Sequence, residues 1–134
     1  MFEDDSVLQG LSLLVIEDDL DSRELLVFIL QAQGAKVTAT DSIHAALEQL
    51  EQFSFDIILC DGRLPDGDGY SFLKKWRNHE AQLGRNPIPA IAVTGGYRDG
   101  DAINSAGVDC QAWISKPIEL STVIQTIAKL THHP

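Results

Sequence analysis

Short apolar runs alternate with amphipathic stretches along this chain. Five apolar runs predict β-strands, at residues 11–16, 35–40, 55–60, 88–93 and 109–114. Apolar positions spaced by about 3.6 residues predict helices after these runs, at 19–33, 42–53, 70–77, 99–105 (weakly) and 120–130. This alternation predicts an α/β fold with a five-stranded parallel sheet, doubly wound and covered by helices on both faces.

Polar side chains stand just past the ends of four predicted strands. Glu17 and Asp18 follow the first strand, and Asp61 follows the third. Thr94 follows the fourth and Lys116 the fifth. Ligands of open α/β sheets bind in the crevice beyond the carboxyl ends of the strands. Three carboxylates, a hydroxyl and an ammonium gathered there suit a small anion together with a divalent cation.

The acidic residues indicate a cation. Glu17, Asp18 and Asp61 would repel one another if they were buried close together, and Mg²⁺ takes such oxygen ligands while retaining several waters. An EF-hand-type calcium loop starting at Asp66 is excluded, because Tyr70 and Arg77 stand where its acidic ligands are required. Residues 66–69 instead predict a turn, with Asp68 capping the next helix.

The remaining polar groups suit phosphoryl transfer to a carboxylate. A carboxylate such as Asp61 can attack a phosphoryl group and form an acyl phosphate. Charge on the phosphoryl oxygens would be met by the cation, by the Lys116 ammonium, by the Thr94 hydroxyl and by backbone N–H groups around Gly62 and Gly95.

Composition narrows the class of protein. The 134 residues predict one domain spanning 1–134, with a core of about 10–131, and a hydrophobic fraction of 44% argues against disorder. A net charge of −10 argues against binding of nucleic acid or anionic membrane by this domain. No membrane span or export signal is recognised, so a cytoplasmic location is expected.

The sequence also argues against a nucleotide-binding site and against a role for the two cysteines in a disulfide or a metal site. No GxGxxG follows the first strand and no GxxxxGK[ST] occurs, which excludes the two commonest nucleotide-binding uses of such a sheet. Cys60 and Cys110 stand alone within apolar segments, and we interpret both as buried free thiols.

These motifs together resemble the receiver domain of two-component response regulators, over about residues 10–131. The motifs are LVIEDD at 14–19, DGRLP at 61–65 with DG at 68–69, VTG at 93–95 and KP at 116–117. The resemblance implies a flavodoxin-like (βα)5 fold and a phosphorelay role. Asp61 would be the phosphoacceptor. Mg²⁺, for which Mn²⁺ could substitute, would be held by Asp18 directly, by Glu17 through water, by Asp61 and by the backbone carbonyl of Arg63.

The resemblance also implies partners and a switch. A histidine kinase or histidine phosphotransfer protein would supply the phosphoryl group, and a downstream effector or a fused kinase would receive the signal. Thr94 would move toward the phosphoryl group, followed by an aromatic on the fifth strand. Trp113 holds that position, where Tyr or Phe is usual, so a buried core Trp without a switching role stays open. The changing surface would comprise residues 94–116 and the last helix.

Two other functions compete with this one. The first is a pseudo-receiver that makes constitutive protein contacts. The second is a Mg²⁺-dependent phosphatase, which is disfavoured because Gly62 and Arg63 follow Asp61 and leave no second Asp nearby. As a receiver the chain would be no enzyme beyond self-phosphorylation and slow autodephosphorylation. Whether it stands alone or was cut from a hybrid sensor kinase stays open.

Overall fold

A computed structural model describes residues 7–95 and 110–131 of the chain. Its main sheet has five parallel strands in the order β2-β1-β3-β6-β7. The strands are β1 Ser12–Ile16, β2 Lys36–Thr40, β3 Ile57–Asp61, β6 Ala90–Thr94 and β7 Ala112–Ser115. A two-stranded antiparallel hairpin, β4 Arg63–Leu64 and β5 Gly67–Asp68, follows β3.

Four helices cover the sheet within the described ranges. They are α1 Leu20–Ala32, α2 Ile43–Gln52, α3 Gly69–Gln82 and α4 Leu120–Thr131. The five-stranded, doubly wound parallel sheet predicted from the sequence is thereby confirmed. The weak helix predicted at 99–105 lies outside the described residues.

The core has two layers because alternate residues of each strand face opposite sides of the sheet. In β1, Leu13 and Val15 pack with α1 and α4, whereas Leu14 and Ile16 pack with α2 and α3. All four of these side chains are buried, as expected for a strand covered on both faces.

Side-chain caps fix where three helices begin. Asp19 accepts a hydrogen bond from the Ser22 amide, Ser42 from the Ala45 amide, and Asp68 from the Tyr70 amide. At the end of α1 the chain turns at Gly34, whose φ of 92° favours glycine.

Several predicted boundaries are wrong by a few residues. β3, β6 and β7 begin two to three residues later than their apolar runs. Residues such as Phe55 and Ile88 lie in the connections before these strands, but their apolar side chains still pack in the core. Helix α3 extends to Gln82, beyond the predicted end at Arg77. Its last turns look polar, yet Glu80 points inward and is only 1% exposed.

The two cysteines differ from each other. Cys60 lies in β3 and is fully buried, and burial raises the pKa of its thiol, with the Asp61 charge acting in the same direction. Cys110 precedes β7 and is only partly buried, so its predicted burial within a strand is wrong. Neither cysteine forms a disulfide, as predicted.

In the described parts of the chain, no helix is long and apolar enough to cross a membrane.

Candidate functional site

The sheet register brings the predicted polar residues to one edge. Ile16 pairs with Cys60, Asp61 pairs with Val93, and Thr94 pairs with Ser115. The residues that follow these pairs therefore meet at the carboxyl ends of neighbouring strands. This edge is where a doubly wound sheet binds its ligands.

Three carboxylates form a tight group at this edge. One oxygen from each of Glu17, Asp18 and Asp61 lies within 4.8 Å of the others. Glu17 and Asp61 are buried, whereas Asp18 is exposed. A set of carboxylate oxygens open to solvent on one side fits Mg²⁺, which binds oxygen ligands and keeps part of its water shell.

Lys116 reaches into the same group. Its Nζ lies 2.9 Å from Asp61 Oδ2 and 3.1 Å from Glu17 Oε1. Its backbone N–H donates to the carbonyl of Thr94 at 2.7 Å, which anchors the residue beside β6, and the Lys116–Pro117 peptide is cis. One ammonium is thus shared by two carboxylates.

The shared ammonium leaves an uneven distribution of protons. Burial, together with the hydrogen bond to Asp61, raises the pKa of Glu17 from 4.5 to about 7. For Asp61, burial opposes ionisation, but hydrogen bonds with Glu17 and Lys116 outweigh it and lower its pKa. Burial likewise opposes charge on Lys116, yet its bonds to Asp61 and Glu17 raise its pKa. Without a cation, Asp61 and Lys116 are therefore charged near neutral pH while Glu17 is partly protonated.

Arg23 supports the acidic turn, and the sequence reading missed it. Its Nη1 donates to the backbone carbonyls of Glu17 at 3.0 Å and Asp18 at 3.4 Å. A single arginine one turn into α1 looks like an ordinary surface residue in sequence. Only its proximity to the strand end shows that it holds the backbone of the carboxylate pair.

Gly62 and Arg63 directly follow Asp61, and Gly95 follows the end of β6. The Arg63 amide donates to Asp61 Oδ1 at 3.5 Å, and the Arg63 residue is exposed. Gly62 is buried, and Gly95 is exposed beyond β6. Both glycines lie next to strand-end residues of the site.

On the far side of the site lie the residues predicted to switch. Thr94 is buried, and its hydroxyl donates to Ser115 Oγ at 3.5 Å. Trp113 is 56% exposed on the edge strand β7, so the alternative of a buried core Trp is wrong. Residues 96–109 of the surface predicted to change lie outside the described residues.

The chain matches the response regulator receiver domain family over residues 13–128. It is 33% identical over 116 residues to the polar-differentiation response regulator DivK of Brucella ovis, which covers 87% of this chain and 92% of DivK. It is 28% identical over 120 residues to hybrid signal transduction histidine kinase M of Dictyostelium discoideum. That match covers 88% of this chain but only 5% of the kinase, so the chain spans a small fraction of that relative.

A solved structure of a receiver domain shares the fold. The receiver domain of a sensor histidine kinase from Pseudomonas aeruginosa, with a magnesium ion coordinated in its active-site cleft, superposes with a TM-score of 0.77. The two chains are 25% identical, with 91% of this chain and 98% of that one covered. The chain described here belongs to the response regulator receiver domain family, as the sequence motifs predicted. It is thus a receiver domain of two-component signalling.

Proposed function

We propose that this domain accepts a phosphoryl group on Asp61 in a Mg²⁺-dependent reaction. The observation that carries the proposal is the position of Lys116 Nζ, bonded to both Asp61 and Glu17 beside a group of three carboxylates. An ion pair with a structural role requires only one carboxylate beside the ammonium. A phosphoryl-transfer site requires further carboxylates, because it must hold a metal cation and a phosphoryl anion together.

The reaction begins at the ionised carboxylate. Asp61 Oδ attacks the phosphorus of a phosphorylated histidine on a partner kinase or phosphotransfer protein. A P–O bond forms and the P–N bond breaks, and the electron pair of that bond stays on the histidine nitrogen, which takes a proton from solvent. The lowered pKa of Asp61 keeps this nucleophile charged at neutral pH. Bound Mg²⁺ would neutralise charge on the transferred group.

Different residues around Asp61 would bind the metal ion and the phosphoryl oxygens. Asp18 and Glu17 would hold the metal with Asp61 and the Arg63 carbonyl. Lys116 would exchange part of its bond with Asp61 for a phosphoryl oxygen. Thr94 would meet another oxygen through its hydroxyl, and the N–H groups at Gly62 and Gly95 would take the rest.

Phosphorylation would then act as a switch. It adds roughly two negative charges beside Glu17 and withdraws Lys116 from its present bonds. A change from 1:99 to 99:1 between two surface states requires about 5.5 kcal/mol of differential stabilisation. Thr94 and the exposed Trp113 would carry that change to a downstream protein or a fused kinase. We further propose that residues 1–134 form one such domain.

Mass spectrometry of the intact protein tests the proposal. Incubation with acetyl phosphate and Mg²⁺ should add about 80 Da, the mass of HPO₃ expected for an acyl phosphate. Asp61→Asn should remove the gain, and chelation of Mg²⁺ should suppress it. Asp56→Asn is the matched control, because Asp56 precedes the opposite end of β3, where its carboxylate accepts from the Ser12 amide. A wild-type protein that gains no mass, or an Asp61→Asn variant that still does, contradicts the proposal.

One observation favours a second function, a pseudo-receiver with constitutive contacts. The large Trp113 side chain is exposed without phosphorylation and is available to a partner. The two functions separate in one experiment. Partner binding that is identical in wild type, phosphorylated wild type and Asp61→Asn supports the pseudo-receiver, whereas binding that requires phosphorylation supports the switch.

A further inference from the structure

Tyr70 connects the first turn of α3 with the strand beside the phosphoacceptor. Its side chain is buried, and its hydroxyl donates to the carbonyl of Val93 at 3.1 Å. Val93 is the strand partner of Asp61 and immediately precedes Thr94. The Tyr70 hydroxyl is therefore bonded to the backbone of the strand end that carries Thr94, beside Asp61.

The ring of Tyr70 also fills the space above Gly62. A Cβ atom built on Gly62 would overlap Cζ, Oη and Cε2 of Tyr70. Gly62 does not have a positive φ, so its backbone conformation alone would admit another residue. The reason for glycine at this position is therefore the space that Tyr70 occupies.

Tyr70 has little freedom to withdraw from this contact. Its backbone N–H donates to Asp68 Oδ1 at 2.9 Å, which fixes the start of α3. The preceding Gly69 donates to the carbonyl of Gly62 at 2.9 Å, and a Cβ on Gly69 would overlap the Asp61 carbonyl. The helix start thus lies against the backbone of the phosphoacceptor turn.

We propose that Tyr70 is a positioning residue for phosphoryl transfer, and that Gly62 is the residue that admits it. The ring contacts the turn that follows Asp61, and the hydroxyl contacts the strand end that carries Thr94. Tyr70 therefore sets the distance between the turn after Asp61 and the strand end that carries Thr94, which together would hold the phosphoryl oxygens. This inference rests on the proposed function, because phosphoryl transfer depends mostly on the positions of such groups.

The variant Tyr70→Phe tests the hydroxyl. It keeps the ring and removes the bond to Val93, so we expect the rate of phosphorylation by acetyl phosphate to fall roughly threefold to tenfold. This is less than the ~100-fold loss that a 1 Å misplacement can cause. Mg²⁺ affinity should stay within about twofold of wild type, since the carboxylates are untouched.

The matched control is Ser71→Ala. Ser71 also lies in the first turn of α3, and its hydroxyl donates to Asp68 Oδ2 at 3.1 Å. Its loss should leave the phosphorylation rate unchanged, because the hydroxyl is bonded to the capping residue Asp68 and not to the strand end that carries Thr94. A Tyr70→Phe rate equal to that of wild type, or an equal loss in both variants, overturns the role of the hydroxyl.

A double-mutant cycle tests the match between Gly62 and Tyr70. Gly62→Ala should slow phosphorylation more than about tenfold when Tyr70 is present, since one of the overlapping groups must move. In a Tyr70→Leu background the same change should cost less than about twofold, because the ring is gone. Equal losses in both backgrounds overturn the match.

Thermal unfolding of the same four proteins separates the two proposals. Gly62→Ala should lower the melting temperature by several degrees only in the Tyr70 background, whether or not the protein is phosphorylated. If wild type takes no phosphoryl group, the proposed function fails and the positioning role fails with it, while this cycle still reports the contact. If wild type is phosphorylated and the rates show no dependence on Tyr70, only the inference fails.

Discussion

Buried carboxylates lie at both ends of the parallel strands, and their hydrogen-bond partners differ. Near the start of β6, Glu80 accepts from Trp76 Nε1 at 3.0 Å, from the Ile88 amide at 2.9 Å and from Arg77 Nη1 at 2.6 Å. One carboxylate there has three donors. At the carboxyl ends of the strands, Glu17 and Asp61 share one ammonium.

The difference separates a structural charge from a reactive one. The Glu80 cluster is complete, because Arg77 also donates to the Ile88 carbonyl at 2.6 Å and so fixes the connection before β6. It has no need of an external ligand. At the other end of the strands, Glu17, Asp18 and Asp61 are gathered around the single ammonium of Lys116, and burial, together with the neighbouring Asp61 carboxylate, raises the pKa of Glu17. Three carboxylates around one ammonium are a set that suits a divalent cation.

Removing the structural carboxylate should have the largest effect. Glu80→Ala removes the carboxylate that the partly buried Arg77 bonds, and it removes the acceptor for Trp76 and the Ile88 amide. We expect a loss of about 3–5 kcal/mol in the free energy of unfolding, measured by chemical denaturation. Glu51→Ala, on the exposed face of α2, should change it by no more than about 0.5 kcal/mol. A loss below about 1 kcal/mol for Glu80→Ala would show that this cluster is not structural.

Removing the cation of the site should have a smaller effect that metal reverses. Lys116→Met leaves Glu17 and Asp61 without an ammonium, and we expect a loss of about 1–2 kcal/mol in metal-free protein because solvent reaches this cleft. Saturating Mg²⁺ should restore most of the loss, since it binds the folded state. In the Glu80→Ala variant, Mg²⁺ should give no more stabilisation than in wild type. Stability of Lys116→Met that does not respond to Mg²⁺ would contradict the assignment of a metal site.

The pH dependence of stability should report the proton that Glu17 binds in the folded state. Glu17 has a folded-state pKa of about 7 against 4.5, so the folded state binds an extra proton between these values. Its contribution to stability is therefore complete below pH 4.5 and is lost as the pH rises toward 7. The slope should stay below ~1.4 kcal/mol per pH unit, because solvent screens the site.

Denaturation of metal-free protein from pH 4.5 to 7.5 measures this slope. Glu17→Gln should flatten it across that window. Asp61 does not interfere, because its lowered pKa places its own contribution above pH 3.8 and its loss at lower pH. A slope that persists unchanged in Glu17→Gln would assign the extra proton to another group.

The smallest expected effect concerns Arg23. Arg23→Ala removes the donor to the Glu17 and Asp18 carbonyls, so the two carboxylates should be held less firmly. We expect Mg²⁺ affinity to fall roughly threefold, about 0.7 kcal/mol, measured by titration calorimetry. Lys36→Ala, an exposed change at the opposite end of the sheet, is the control. Equal affinities for the two variants would show that the turn is rigid without Arg23.

Much of the site could be predicted from the chain, because parallel strands bring their carboxyl ends to one edge. Asp61 and Lys116 are 55 positions apart, yet each follows an apolar run, and that local pattern was sufficient to predict that they meet. The cap at Asp68 was equally readable, since a cap depends on residues only two to three positions away.

Contacts that depend on packing could not be predicted in the same way. Glu80 lies in a polar stretch, and nothing in the stretch shows that it turns inward to meet Trp76 and the Ile88 amide. Trp113 stands in an apolar run that favours burial, yet it occupies an edge strand and is exposed. In both residues the decisive neighbours come from other elements, which a local pattern does not contain.

The amino-acid sequence by itself determined the order of the elements, the edge at which the site forms and the residue types gathered there. Hydrophobic periodicity and the geometry of parallel strands suffice for that. Only the tertiary structure decided how the groups share charge and space: one ammonium between Glu17 and Asp61, and a tyrosine ring in the space above Gly62. Desolvation and steric exclusion act over a few ångströms, so they depend on distances that exist only once the chain has folded.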